Sequence, residues 1–312
     1  MPFTLPIVSK VLRTPDARFE GLPDFPWQPH YVELTSDIGA SLRVACVDEG
    51  PRDAPVVLLM HGEPTWSYLY RKMIPGLLAE GLRVVAPDLV GFGRSDKPAN
   101  ASDYSYADHV AWMNAWLAHM DLHHITLFCQ DWGSLIGLRM ATSQPQRFAR
   151  IAVGNGGLPT GTGTIPRVFH VWRAFARWSP WFPIGKIVAQ GCAQGLSPQE
   201  QAAYDAPFPS RSHRMGARRL PLLVPIHPND PERAANEAAW QTLAQWDKPF
   251  LTLFSTRDPI TRGGERLFQQ SVPGARDQAH QRIHGAGHFL QEDKGPELAE
   301  ILARFAWGKP NA

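Results

Sequence analysis

Short apolar runs of strand length alternate along this chain with longer stretches whose apolar residues recur at helical spacing. Residues 31–34 and 42–47 read as an opening antiparallel pair. Residues 56–60, 82–86, 125–129, 152–154 and 250–254 read as further strands, with 282–283 a weak last one. Between them, residues 68–78, 106–120, 134–142 and 296–307 carry helical periodicity. Strands alternating with helices predict an α/β fold with a mostly parallel eight-stranded sheet flanked by helices. The alternation breaks after Asn155 and resumes near Phe250, and the first part of the gap is dense in Gly, Pro and Trp. Residues 156–225 hold no strand-like run but contain helical stretches at 168–178 and 198–204. They predict a helical cap inserted after the sixth strand, with residues 1–155 and 226–312 forming the core. Such a cap would cover the carboxyl edge of the sheet, where open α/β sheets place their ligands.

The chemistry concentrates at that edge. The run from Ile125 to Ser134 is a buried-strand pattern followed by Asp131, Gly133 and a helix. This has the shape of a nucleophile elbow, the sharp strand-to-helix turn that presents a reacting side chain above a sheet. Asp131 stands where a serine would, and Cys129 replaces the first glycine. A carboxylate suits attack at a saturated carbon, giving an alkyl ester that water can then hydrolyse. Alone, Asp131 would read as an N-cap, but the rest of the constellation favours the nucleophile. Upstream, His61-Gly-Glu-Pro64 ends a strand in a loop that would supply backbone donors, with the N–H groups of Glu63 and Trp132 forming an oxyanion hole. Downstream, Asp258 follows a strand and His288 lies in the Gly285-Ala-Gly-His-Phe289 loop before the last helix. The order nucleophile, acid, histidine is that of the α/β-hydrolase fold.

Composition narrows the partners. The 31 Lys plus Arg against 29 Asp plus Glu leave a net charge of +2, which argues against nucleic acid or a membrane surface as partner. Cys46, Cys129 and Cys192 are odd in number and far apart, suggesting neither disulfides nor a metal centre. The first ten residues lack the pattern of a secretory leader, so a cytoplasmic location is expected. Gly91-Phe-Gly-Arg-Ser-Asp96 begins like a dinucleotide fingerprint, but Asp96 occupies the place of the third glycine, and a structural loop is expected. His280, His284 and His288 have helical ligand spacing, yet Gly285 and Gly287 argue against a helix and hence against zinc. Arg211, Arg214, Arg218 and Arg219 read as the solvated face of a cap helix.

The sequence resembles the haloalkane dehalogenases, in the subfamily with a Glu in the oxyanion loop and two halide-binding tryptophans. The likeness is carried by His61-Gly-Glu-Pro-Thr-Trp-Ser-Tyr-Leu-Tyr-Arg71, Asp88-Leu-Val-Gly-Phe-Gly-Arg-Ser-Asp-Lys-Pro98, Gln130-Asp-Trp-Gly133, Ala206-Pro-Phe-Pro209 and His288-Phe-Leu-Gln-Glu-Asp293. It implies hydrolysis of a small halogenated aliphatic substrate to an alcohol and halide, through an ester on Asp131 and with water but no cofactor or metal. It also implies that the Trp132 indole and a cap tryptophan hold the leaving halide. Trp172 is the first choice for the second, with Trp178 and Trp181 as alternatives; a packing role is open to all three. A monomer is expected from the same resemblance. Three rivals remain. An epoxide hydrolase typically needs two cap tyrosines, and the expected cap holds only Tyr204. A fluoroacetate dehalogenase would need cationic residues in its pocket. A non-catalytic receptor on the same fold would have no use for a complete triad.

Overall fold

The computed structural model describes residues 5–35 and 41–309. Eight strands form the main sheet: β1 (His30–Leu34), β2 (Leu42–Glu49), β3 (Val56–Met60), β4 (Arg83–Pro87), β5 (Ile125–Asp131), β6 (Phe148–Gly156), β7 (Phe250–Ser255) and β8 (Gln281–Ile283). Their spatial order is β8-β7-β6-β5-β3-β4-β2-β1. Only the β1–β2 and β2–β4 pairs are antiparallel. Every residue of β3 is buried, as expected of a central strand covered on both faces. Its register sets Leu58 beside Leu127 and Met60 beside Cys129. From β3 the chain steps to β4 on one side and then crosses to β5 on the other. The strand order therefore reverses between β3 and β5, opening a crevice at their carboxyl ends.

Helix α1 (Ile74–Ala79) packs on α10 (Leu290–Ala306) and α9 (Glu265–Ser271) packs on β7, while α3 (Trp132–Ser143) packs against both α2 (Tyr106–Met120) and α8 (Arg233–Leu243). The helix expected over 68–78 is shorter than its periodicity implied. A 3₁₀ turn at Ser67–Tyr70 precedes α1, because Pro75 lacks an N–H and fits only the first turn of a helix. The last helix begins earlier than expected and is interrupted at Lys294 (φ −139°, ψ 31°), just before Gly295 and Pro296.

Between β6 and β7 lie α4 (Arg167–Trp178), α5 (Ile184–Gly191), α6 (Pro198–Asp205), α7 (Met215–Leu223) and α8. Helices α4 and α6 match the expected stretches. Helix α5 is short and ends in glycine, and α7 contains Pro221, so neither left a clean helical pattern. The Ala-rich α8, with Asn236, Ala239 and Leu243 buried along one face, is a further helix beyond the expected ones, and its pattern is legible in the sequence. The arginine cluster also needs correction. Arg218 is buried, and its guanidinium donates to the carbonyls of Ala176 and Ser179, tying α7 to the end of α4.

A charged cluster fastens this insertion to the core. Buried Arg71 pairs with Glu292 of α10 and with Glu200 of α6, and the Tyr204 hydroxyl of α6 donates to Glu292. Lys72 Nζ lies 3.0 Å from Glu292. The Arg71 guanidinium also covers the Tyr68 ring, 4.1 Å from its centroid. The α6 N-terminus is closed by a capping box between Ser197 and Glu200, so Glu200 serves both contacts. Breaking one side of such a pair strands a buried charge. We expect Arg71→Met to cost about 3–5 kcal/mol in urea denaturation, and Arg71→Met/Glu292→Gln to cost clearly less. A double-variant loss equal to the sum of the Arg71→Met and Glu292→Gln single losses would show that the cluster is not coupled.

Candidate active site

The crevice between β3 and β5 gathers the chemistry foreseen in the sequence. Asp131 closes β5 and precedes α3 with φ 51° and ψ −128°, a conformation unfavourable for a residue with a β-carbon. Close packing around the turn holds it there. A β-carbon at Gly133 would collide with the carbonyl of Met60, and one at Gly62 would collide with the Asp131 carboxylate. The two glycines thus let the β3 loop and the α3 N-terminus approach within backbone contact. As a result, the Glu63 N–H donates to Asp131 Oδ1 at 2.7 Å.

His288 reaches the same carboxylate from the loop after β8, its Nε2 3.5 Å from Asp131 Oδ2. On its other edge, Nδ1 lies 3.1 Å from Asp258 Oδ2. Asp258 is itself held by the backbone N–H groups of Ile260 (2.8 Å) and Thr261 (3.2 Å) and by the Thr261 hydroxyl. Burial opposes a positive charge on His288, but the facing carboxylates of Asp258 and Asp131 overcome it and push the imidazole up to about 10. For Asp258, burial favours the neutral acid, yet His288 and the hydrogen bonds from Thr261 and Ile260 hold the carboxyl below its usual range. The sequence-identified Asp131, Asp258 and His288 therefore form one connected array.

Several supporting residues escaped the sequence reading. Gln130 places its side-chain amide 3.1 Å from His288 Nε2 and also donates to the His288 carbonyl. Asn155, fully buried at the end of β6 with φ 39°, donates to the carbonyls of Gly287 and His288 and to the Ser255 hydroxyl. The His288 N–H donates to the Gly191 carbonyl at the end of α5 (2.7 Å), so the inserted segment helps hold this loop. The only local signal for Asn155 was an amide at the end of a strand; its partners lie far away in the chain.

Above the array is a cavity of about 950 Å³, lined largely by apolar residues. Glu63, Asp131, Trp132, Trp172 and His288 all face it. The Trp132 ring is set by an edge contact with Tyr106, and Trp172 stacks on Phe175 and Phe182. Trp178 and Trp181, by contrast, are 73% and 61% exposed and lie outside the cavity lining. Burial and the neighbouring Asp131 charge drive the Glu63 carboxyl well above the usual carboxylate range, only partly offset by hydrogen bonding from Trp172. Among the described residues no cluster of His, Cys, Asp and Glu could hold a metal ion, and no helix is long and apolar enough to cross a membrane.

Comparison with known proteins agrees with this geometry. The sequence pattern of the alpha/beta hydrolase fold matches residues 55–295. A haloalkane dehalogenase of Psychrobacter cryohalolentis is 53% identical over 301 residues, covering 96% of this chain and 99% of the relative. One from Mycobacterium marinum is 54% identical, covering 94% and 98%. Among solved structures, a haloalkane dehalogenase from Paraglaciecola agarilytica, described as tetrameric, superposes with a TM-score of 0.86 at 36% identity, covering 94% of this chain and 97% of that one. With relatives this similar along nearly its whole length, and with a carboxylate standing at the elbow, the chain belongs to the haloalkane dehalogenase family of the α/β-hydrolase fold.

Proposed function

We propose that this protein hydrolyses carbon–halogen bonds of haloalkanes through a covalent ester on Asp131. The observation that carries this reading is a carboxylate, rather than a hydroxyl, on the strained elbow, with one oxygen anchored and the other facing His288. Asp131 Oδ2 attacks the halogenated carbon and the halide leaves. Oδ1, held by the Glu63 N–H, becomes the ester carbonyl oxygen. Water deprotonated by His288 then attacks that carbonyl, the N–H groups of Glu63 and Trp132 stabilise the oxyanion, and its collapse breaks the bond to the alkoxy oxygen, which takes the proton from His288 and leaves as the alcohol while the Asp131 carboxylate is restored. Asp258 orients His288 and stabilises the imidazolium. No cofactor enters these steps. Residues 156–225 serve as the cap and the remainder as the core. The assignment of a cytoplasmic, monomeric enzyme belongs to the same proposal, and measuring the mass in solution would separate it from a tetramer like the Paraglaciecola relative.

In this reading the halide is held by the indole N–H groups of Trp132 and Trp172. At roughly 1.5–3 kcal/mol for each hydrogen bond to a charged group, the pair contributes about 3–6 kcal/mol. Burial and the Asp131 charge disfavour ionisation of Glu63, and so disfavour a further negative charge near the departing anion. An epoxide hydrolase is disfavoured. Tyr204 is buried against Glu292, and among the described residues the cavity lining contains no tyrosine to protonate an opening epoxide.

Three outcomes are expected. His288→Ala should release about one bromide per enzyme and then stall, with the alkylated Asp131 peptide visible by mass spectrometry; continued turnover would remove His288 from the base role. Trp172→Phe should weaken bromide binding by about tenfold or more, whereas Trp178→Phe should leave it unchanged; fluorescence quenching by bromide reads both. Esterification removes the Asp131 charge that helps to keep a proton on His288, so the imidazole should lose its proton more readily in the intermediate than in the free enzyme. Single-turnover ester hydrolysis should therefore rise with pH and level off clearly below pH 10. A plateau reached only at or above that pH would mean that Asp131 does not contribute to the shift.

A further inference from the structure

The polarity of the cavity is one-sided. Its floor carries Glu63 and Asp131, and no other carboxylate lines it among the described residues. Two arginines do, Arg257 and Arg262, on the loop after β7. Both are exposed, which places them toward the solvent end of the cavity rather than at the buried triad. Neither guanidinium is within ion-pairing reach of a carboxylate among the described residues; Arg262 donates to the Thr256 carbonyl, a neutral acceptor. Much of the facing wall comes from the segment after β6. The part of that segment that lines the cavity, within residues 156–193, contributes no Asp or Glu. The charge at the mouth therefore comes from Arg257 and Arg262, with no acid of the lining beside them.

A short, neutral haloalkane has no use for such a mouth, and its volume falls far short of the cavity. About 950 Å³ lies near the upper end of the range, roughly 300–1,000 Å³, that encloses drug-sized ligands. Between floor and mouth the lining is mainly apolar, with Leu135, Leu158, Val168, Val171, Phe175 and Val224 suited to an aliphatic chain. We propose that the preferred substrates are long-chain ω-halogenated carboxylates. The halogenated end reaches Asp131, the chain lies along the apolar wall, and the carboxylate pairs with Arg257 and Arg262, whose planar guanidinium groups match it in shape. A haloacetate is too short to touch both ends, so this proposal differs from the fluoroacetate rival. It rests on the dehalogenase reading and adds the second recognition element.

The test compares bromide release from 8-bromooctanoate and from the near-isosteric, neutral 8-bromooctanamide, with wild type and with Arg257→Gln/Arg262→Gln. Wild type should show a KM for the carboxylate lower by about three- to tenfold, as expected for two partly exposed ion pairs, and high salt should shrink this advantage. The double variant should lose the advantage while keeping the kcat and KM of wild type for the amide. Equal KM values in wild type, a preference for the amide, or a carboxylate preference that survives in the double variant would overturn the proposal while leaving the dehalogenase reading standing. If neither compound releases bromide, the dehalogenase reading fails as well.

Discussion

The site depends on a backbone conformation that Asp131 would not adopt by itself. A positive φ at a residue with a β-carbon costs of order 1–3 kcal/mol and persists only where its surroundings over-determine it. Here those surroundings are the parallel pairing of β3 with β5 and the glycines at 62 and 133, which bring two backbones into contact above the sheet. The same close approach sets the Glu63 N–H against the carboxylate. A single packing constraint thus orients the Asp131 carboxylate and sets against it the donor that the proposed mechanism uses for its later charge. Because both features come from the backbone, substitutions in the cavity wall can change substrate range without disturbing them.

Electrostatics is arranged around one imidazole between two carboxylates. The two facing carboxylates favour the protonated form of His288 in the free enzyme. In the proposed mechanism alkylation of Asp131 discharges one of the two, so that the first chemical step would prepare the second. The upward push on the Glu63 carboxyl fits this economy of charge, because in the proposed mechanism a further anion beside Asp131 would oppose both the nucleophile and the departing halide.

What could be read from the sequence was what is local. The strands were legible because buried parallel strands are continuous apolar runs, and the elbow because Asp131, Trp132 and Gly133 follow one directly. Asp258 and His288 could be ranked by their order and by the strands before them. The structure adds what depends on long-range packing. Asn155 acts through carbonyls at residues 287 and 288, and Gln130 through a histidine 158 residues away. The choice among tryptophans was equally hidden. Helix α4 has apolar side chains on both sides, so periodicity alone could not tell that Trp172 and Phe175 line the cavity while Trp178 turns outward. Helices α5 and α7 are held by their neighbours and by carbonyl contacts rather than by a strong pattern of their own.

The hydrogen bond from the His288 N–H to the Gly191 carbonyl joins the histidine loop to the last turn of α5, and Gly287 lies close enough that a β-carbon there would strike the same carbonyl. Ile187, Gln190 and Gly191 of α5 also line the cavity. A bulky guest pressing on that wall would therefore strain the anchorage of the imidazole, and a poorly fitting molecule could be captured well yet released slowly as product. Selectivity among guests would then be written in the speed of hydrolysis as much as in the strength of capture, with α5 acting as the gauge that relates size to rate.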